Sequence, residues 1–123
     1  MTQEQKDILI KDLCSRLPYG VKVEYENKAF DLEYVCSIYE EVKLDIPETW
    51  TIDVSEVKPY LFPLSSMTEE QKREYHELVG GFFGASVLIS VEDLTDFFNK
   101  NHIDYRGLIS IDLAIDATNL NIY

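Results

Sequence analysis

The sequence predicts an α+β fold: a small, curved antiparallel sheet closing as an SH3-like barrel, with one N-terminal helix and two C-terminal helices. Three observations carry that expectation. Apolar residues recur at helical spacing over residues 3–17, alternate singly with polar ones over 19–57, and return to helical spacing after Thr68. With 123 residues the chain suits one domain, 1–123. Its parts are a helix over 3–17, a β-rich core over 19–57, a proline and aromatic junction over 58–67, and a helical region over 68–123 that carries a C-terminal turn or strand.

The first helix opens on a capping box. Thr2 and Gln5 satisfy each other's neighbouring N–H groups. Ile10, Leu13, Cys14 and Leu17, with Leu9 beside them, form one apolar stripe, so Cys14 is expected as a small buried hydrophobe. Pro18 stops the helix, because proline lacks the N–H and disfavours a helical residue before itself.

Alternation then takes over. Val21 and Val23 form a first strand, and Asn27-Lys28 reads as a turn. Leu32, Tyr34, Cys36 and Ile38 share one face against Glu33, Val35, Ser37 and Tyr39. Val42, Leu44 and Ile46 make a third segment, and Trp50, Ile52 and Val54 a fourth. Closure into a barrel is the expected answer to exposed sheet edges.

The tract Val57-Lys58-Pro59-Tyr60-Leu61-Phe62-Pro63-Leu64 is apolar apart from its lysine. Its two prolines argue against a regular helix or a central strand, and its apolarity places it against the body of the protein. Thr68-Glu69-Glu70-Gln71 is a second capping box. Tyr75, Leu78, Val79, Phe82 and Phe83 follow on one helical face, and Gly80-Gly81 leaves open whether the helix continues or ends there. A third helix over about 91–101 is capped from residues 90–93, carries Leu94, Phe97 and Phe98 inward, and stops near Asn99 and Asn101. Ile109, Ile111, Leu113 and Ile115 alternate with polar or small residues, and by period that is a strand.

Charge narrows the function classes. Twenty-three Asp and Glu against 11 Lys and Arg give −12, spread as 0 over residues 1–18, −6 over 19–64 and −6 over 65–123. Direct nucleic-acid binding is therefore not expected, since phosphates require clustered Lys and Arg. Two cysteines are too few for a disulfide framework. The polar, acidic start has no basic region followed by an apolar one, and the longest uncharged run, 78–91, is short and glycine-rich. Neither a secretory signal nor a membrane span is expected, which points to the cytoplasm. His76 and His102 lie 26 residues apart and Cys14 and Cys36 lie 22 apart, so no local pair prepares a metal site. Gly80-Gly81-Phe82-Phe83-Gly84 lacks the order of a phosphate-binding loop. No nucleophile elbow or acid–base set stands out, so no catalytic residue, cofactor or metal is assigned and a non-enzymatic role is expected.

Three blocks are distinctive: Leu13-Cys14-Ser15-Arg16-Leu17-Pro18-Tyr19-Gly20-Val21, the run from Val57 to Gln71, and Asn99-Lys100-Asn101-His102-Ile103-Asp104-Tyr105-Arg106-Gly107-Leu108-Ile109. Together they resemble a family of small uncharacterised proteins encoded by phages and integrated elements of human-gut anaerobic bacteria. The resemblance implies a bacterial or phage cytoplasmic origin and an accessory role. It implies no particular activity, cofactor or catalytic residue.

Tyr60, Phe62, Tyr105 and Arg106 are the candidate partner-binding or junction residues. As junction residues they seal sheet to helix and pair Arg106 with an acid, because proline, glycine and aromatics suit such places. As recognition residues they supply the types enriched at binding hot spots. The expected function is a non-catalytic protein-interaction module that binds a protein or peptide. The alternative is an acidic inhibitor that mimics nucleic acid toward a host protein, drawn in by long-range attraction, with an enzyme as a distant third.

Overall fold

Thr2 caps the first helix, α1 (Gln3–Arg16), as expected: its hydroxyl accepts from the Gln5 N–H at 3.1 Å and its own N–H donates to Gln5 at 3.0 Å. The computed structural model describes residues 1–46, 51–84 and 91–123, with side chains outside 80–84 and 91. A 3₁₀ turn at Leu17–Tyr19 and a left-handed Gly20 (φ 77°) turn the chain into the sheet.

The strands are β1 (Lys22–Tyr25), β2 (Lys28–Cys36), β3 (Glu41–Leu44), β4 (Ile52–Asp53), β5 (Lys58–Leu61) and β6 (Ile115–Asp116). They form one sheet in the order β4-β3-β2-β1-β5-β6, antiparallel except for the parallel β5–β6 pair. Glu26 and Asn27 both take left-handed φ values (49° and 65°), which suits a tight two-residue β1–β2 hairpin and moves the expected turn back by one residue. Leu9 and Leu13 of α1 pack on Val21, Val23, Leu32, Val42 and Leu44, and this layer is the centre of the core. The helices α2 (Glu69–Gly84) and α3 (Val91–Lys100) follow. The Thr68–Gln71 capping box forms, and α2 runs through Gly80-Gly81 rather than ending there.

The architecture departs from expectation at five places, each with a physical cause. The sheet is open and mixed rather than a closed antiparallel SH3-like barrel. Its edges, β4 and β6, are two residues each, so little backbone is left to pair and closure is not needed to protect it. Pro59 stands in a central strand, which its missing N–H was expected to forbid. It pairs with Val23, and a pair that includes proline must be the kind without direct hydrogen bonds, so its nitrogen faces away from β1; on that side the β6 ladder begins only at Tyr60. In β2, Leu32 pairs with Leu44 but Tyr34 pairs with Lys43, so Glu33 is the extra residue of a β-bulge. The bulge reverses the faces beyond it: Val35 turns toward the core, Tyr34 is 47% exposed and Ile38 is 84% exposed, breaking the expected Leu32–Ile38 face.

The buried stripe of α1 is rotated from the expected one. Leu9, Asp12, Leu13 and Arg16 face inward, while Cys14 is exposed. Both cysteines are free thiols, and partial shielding still pushes the Cys14 thiol above its ordinary pKa. Residues 109–116 are not an extended strand. The Asp104 carboxylate ties down the Leu108 and Ile109 N–H groups, Leu113 N–H returns to the Leu108 carbonyl, and only Ile115–Asp116 pairs. The strand expected at Trp50, the inward placement of Phe82 and Phe83, and the cap at Ser90 lie outside the described residues.

Candidate functional site

Two side-chain clusters meet on the segment 99–109, and together they hold all four sequence-predicted residues. Beside it, Phe62 N–H donates to the His102 carbonyl at 2.8 Å and Asp104 N–H donates to the Phe62 carbonyl at 2.8 Å. That pairing lays the segment alongside the end of β5.

The first cluster joins this segment to α1. Asp12 and Arg16 are both fully buried. Arg16 Nε donates to Asp12 Oδ2 at 2.8 Å, and Arg16 Nη2 donates to the Ile103 carbonyl at 2.7 Å. Arg106 Nη1 donates to the other carboxylate oxygen, Asp12 Oδ1, at 2.7 Å. Tyr105 is held between cations and a ring: the Arg106 and Arg16 guanidinium carbons lie 4.5 and 5.4 Å from its centroid, and Phe98 stacks on it at 5.2 Å. Asp104, 6% exposed, accepts from Leu108 N–H at 2.8 Å and Ile109 N–H at 2.9 Å. Both carboxylates are thus committed, one to two guanidiniums and one to two backbone amides.

The second cluster contains Tyr60, Phe62, His102 and Tyr123. The Tyr123 hydroxyl accepts from the Lys22 N–H at 2.9 Å and donates to the Tyr60 carbonyl at 2.9 Å. Its ring lies flat on His102, centroids 3.6 Å apart and planes within 8°, with the Phe62 ring 6.0 Å away. Burial pushes the Tyr123 phenol up to about 12. Burial, with the nearby Arg16 charge second, holds His102 down at about 4, so its imidazole is neutral at pH 7. Its Nδ1 is buried without a partner, as are Arg16 Nη1, Asn99 Oδ1 and the Tyr105 hydroxyl around the same segment.

The geometry therefore spends the four predicted residues on internal contacts. Tyr60 is buried, its carbonyl bound to Tyr123. Phe62 is half-buried against Tyr123, Tyr105 is clamped, and Arg106 pairs with Asp12. Sequence reasoning missed Asp12 and Arg16, although Leu9-Asp12-Leu13-Arg16 has the spacing of a buried stripe and the two charged residues stand four apart. It also missed Tyr123, for which no local pattern gave a signal. His102, which the sequence offered no metal-site partner, is half-buried.

Elsewhere the β2–β3 turn, residues 37–40, carries Ile38 and Tyr39 at 84% and 72% exposure, the largest exposures among the described large apolar side chains. The turn's base is fixed. Glu40 accepts from Gln3 Nε2 at 3.1 Å, its carbonyl accepts from Val54 N–H at 2.8 Å, and Lys6 sits 3.7 Å from its carboxylate. Among the described residues no group of three or more His, Cys, Asp or Glu is placed to hold a metal ion. No helix among them is long and apolar enough to cross a membrane. Comparison with known proteins finds no matching family model, no similar curated protein and no similar solved structure.

Proposed function

We propose that the protein is a non-catalytic interaction module, an accessory protein of phage or mobile-element type acting in the cytoplasm, and that it binds its protein partner through the β2–β3 turn. One observation carries this reading: Ile38 and Tyr39 stand 84% and 72% exposed at the end of a hairpin whose base is tied to α1 and to Val54 just after β4. An aliphatic and an aromatic side chain held out by an anchored turn lose little further freedom on docking. Tyr34, 47% exposed on the same hairpin, is a further apolar side chain held in solvent. The matching partner is a protein surface with an apolar slot.

This reading is favoured over mimicry of nucleic acid by the pairing of charges on the sheet. Lys22 sits 2.8 Å from Asp31 and Lys43 sits 3.5 Å from Glu33, which interrupts the negative array that a mimic presents. The test is affinity capture from bacterial lysate at about 0.05 and 0.5 M salt, with the natural chain and an Ile38→Asp/Tyr39→Ala variant. A partner held at high salt by the natural chain and lost by the folded variant supports the proposal. A partner shed by salt and indifferent to the variant overturns it.

A further inference from the structure

The placement of Tyr123 points to a second recognition element, independent of the hairpin. In the β1–β5 ladder, Val23 pairs with Pro59, and the next position would pair Lys22 with Tyr60. The strands have parted there, and the Tyr123 hydroxyl fills the gap, accepting from Lys22 N–H and donating to Tyr60 C=O, both at 2.9 Å. The His102 ring forms one wall, 3.6 Å away and parallel, and the Phe62 ring lies tilted at 51° with its centroid 6.0 Å away. His102 holds its backbone at a left-handed φ of 57° in presenting that ring. The slot thus asks three things of an occupant: a flat ring, a hydroxyl at its end, and a proton on that hydroxyl. Phenylalanine fails the second, and phosphotyrosine the third.

The attachment of the occupant is equally specific. Thr118, Asn119, Leu120 and Asn121 are exposed, and the hydrogen bonds of Thr118 and Leu120 are local, to Asp116 and Ala117. Asn119 and Asn121 adopt left-handed φ values of 64° and 55°. Among the described residues, the hydrogen bonds from residues 118–123 to the body all run through the one hydroxyl, while Ala117 N–H pins the near end to Leu61. A segment tied to the body by one hydroxyl and by the packing of the half-buried Ile122 and the Tyr123 ring opens without unfolding the sheet.

We infer that the space between Lys22, Tyr60, Phe62 and His102 is a binding slot for an unmodified tyrosine side chain of a peptide, filled in the resting chain by Tyr123, which a tyrosine-bearing segment of a partner displaces. Binding in trans competes with the intramolecular occupant, so the free affinity is masked in the natural chain and uncovered when Tyr123 is removed.

The test uses the full chain carrying Tyr123→Ala and, as probes, a synthetic peptide of residues 118–123, its Tyr→Phe form and its phosphotyrosine form, titrated by calorimetry and amide NMR. The tyrosine peptide should bind the variant at least tenfold more tightly than it binds the natural chain. It should also bind the variant about three- to tenfold more tightly than the phenylalanine peptide does, the value of a net hydrogen bond. The phosphotyrosine peptide should not bind. Shifts should centre on the Lys22 amide and the His102 ring. Equal affinities for the tyrosine and phenylalanine peptides, or no saturation of a folded variant at millimolar peptide, overturn the inference. A second measurement needs no variant. In the natural chain the Lys22 amide should exchange with solvent at least tenfold faster than the Glu24 amide, and excess tyrosine peptide should slow it. Exchange of Lys22 only together with the whole sheet overturns the inference equally.

Discussion

Replacing Asp12 with asparagine removes the one carboxylate that compensates two guanidiniums, and the structure sets the size of the loss. The amide offers one neutral acceptor oxygen where the carboxylate offered two charged ones, so the fully buried Arg16 keeps the Ile103 carbonyl but loses its counter-charge. Arg106, 18% exposed at its side chain, regains water by a small movement. The penalty therefore falls mainly on Arg16, and removal of one partner of a buried pair costs about 3–5 kcal/mol. Because Arg106 can rehydrate, about 3 kcal/mol is expected, a large fraction of the 5–15 kcal/mol typical of a whole domain. Urea unfolding followed by circular dichroism should show the midpoint falling by about 1–3 M with an unchanged slope. A double-mutant cycle uses Asp12→Leu, Arg16→Met and Asp12→Leu/Arg16→Met, the last of which exchanges the pair for apolar side chains. The double variant should be more stable than Asp12→Leu alone, with a coupling of at least about 1.5 kcal/mol. A loss below about 1 kcal/mol for Asp12→Asn, or strict additivity in the cycle, would refute the assignment of this pair as the tie between α1 and the segment 99–109.

Acidification should weaken the fold through His102. The unfolded histidine takes its proton near 6.5 and the folded one only near 4, so stability present at pH 7 is lost as the pH falls through that interval. Solvent at this half-buried ring reduces the effect to about 1 kcal/mol, and His102→Phe, which keeps a ring on Tyr123, should flatten the difference between urea midpoints at pH 7 and 4.5. Thr2→Ala and Thr68→Ala each break a capping box and should each lower stability by about 0.5–2 kcal/mol; a double loss well below their sum would contradict their independence. Gly20→Ala should cost about 1 kcal/mol from its left-handed backbone (φ 77°) alone, since a Cβ there meets nothing within 4 Å, and Gly20→Asn should cost less. Ile38→Asp/Tyr39→Ala should shift the urea midpoint by no more than the equivalent of about 0.5 kcal/mol, because both side chains stand in solvent.

The helices were legible because their signals are local. Thr2 with Gln5 and Thr68 with Gln71 mark their own termini, and both boxes form as read. The hairpins were legible as alternation, but the face of each residue was not. A bulge leaves the sequence pattern intact while reversing what it means, and nothing in Leu32-Glu33-Tyr34 says that two residues will oppose one. Pro59 misled for a related reason: the rule against proline in central strands concerns which side its nitrogen faces, and that is decided by partners elsewhere in the chain. The period of residues 109–116 lost to a side chain, because Asp104 captures two amides that a strand would have offered to a neighbour. Within the candidate site, Tyr105 and Arg106 were visible as residue types, whereas their partners Asp12 and Arg16 stood ninety residues away in the stripe of a helix whose phase had been set by its apolar members.

The bulge and the segment 99–109 together explain why the apolar residues divide as they do. Without the extra residue at Glu33, alternation would carry Leu32 inward and send Tyr34 inward too, and Val35, now packed against the core, would face water. A hairpin serving only the sheet gains nothing from the reversal, since it leaves Tyr34 and Ile38 in solvent, where Tyr39 of the turn also stands. The junction shows the opposite economy. Tyr60, Phe62 and Tyr105 are each engaged by a carbonyl contact, a ring or a cation within the chain. Aromatic residues at the centre of the sequence motifs are thus consumed in joining layers, and those released outward sit on a turn anchored through Glu40. If partner binding is the function of this chain, variants of the turn should change binding without touching stability, and variants of the Asp12–Arg16–Arg106 cluster should do the reverse.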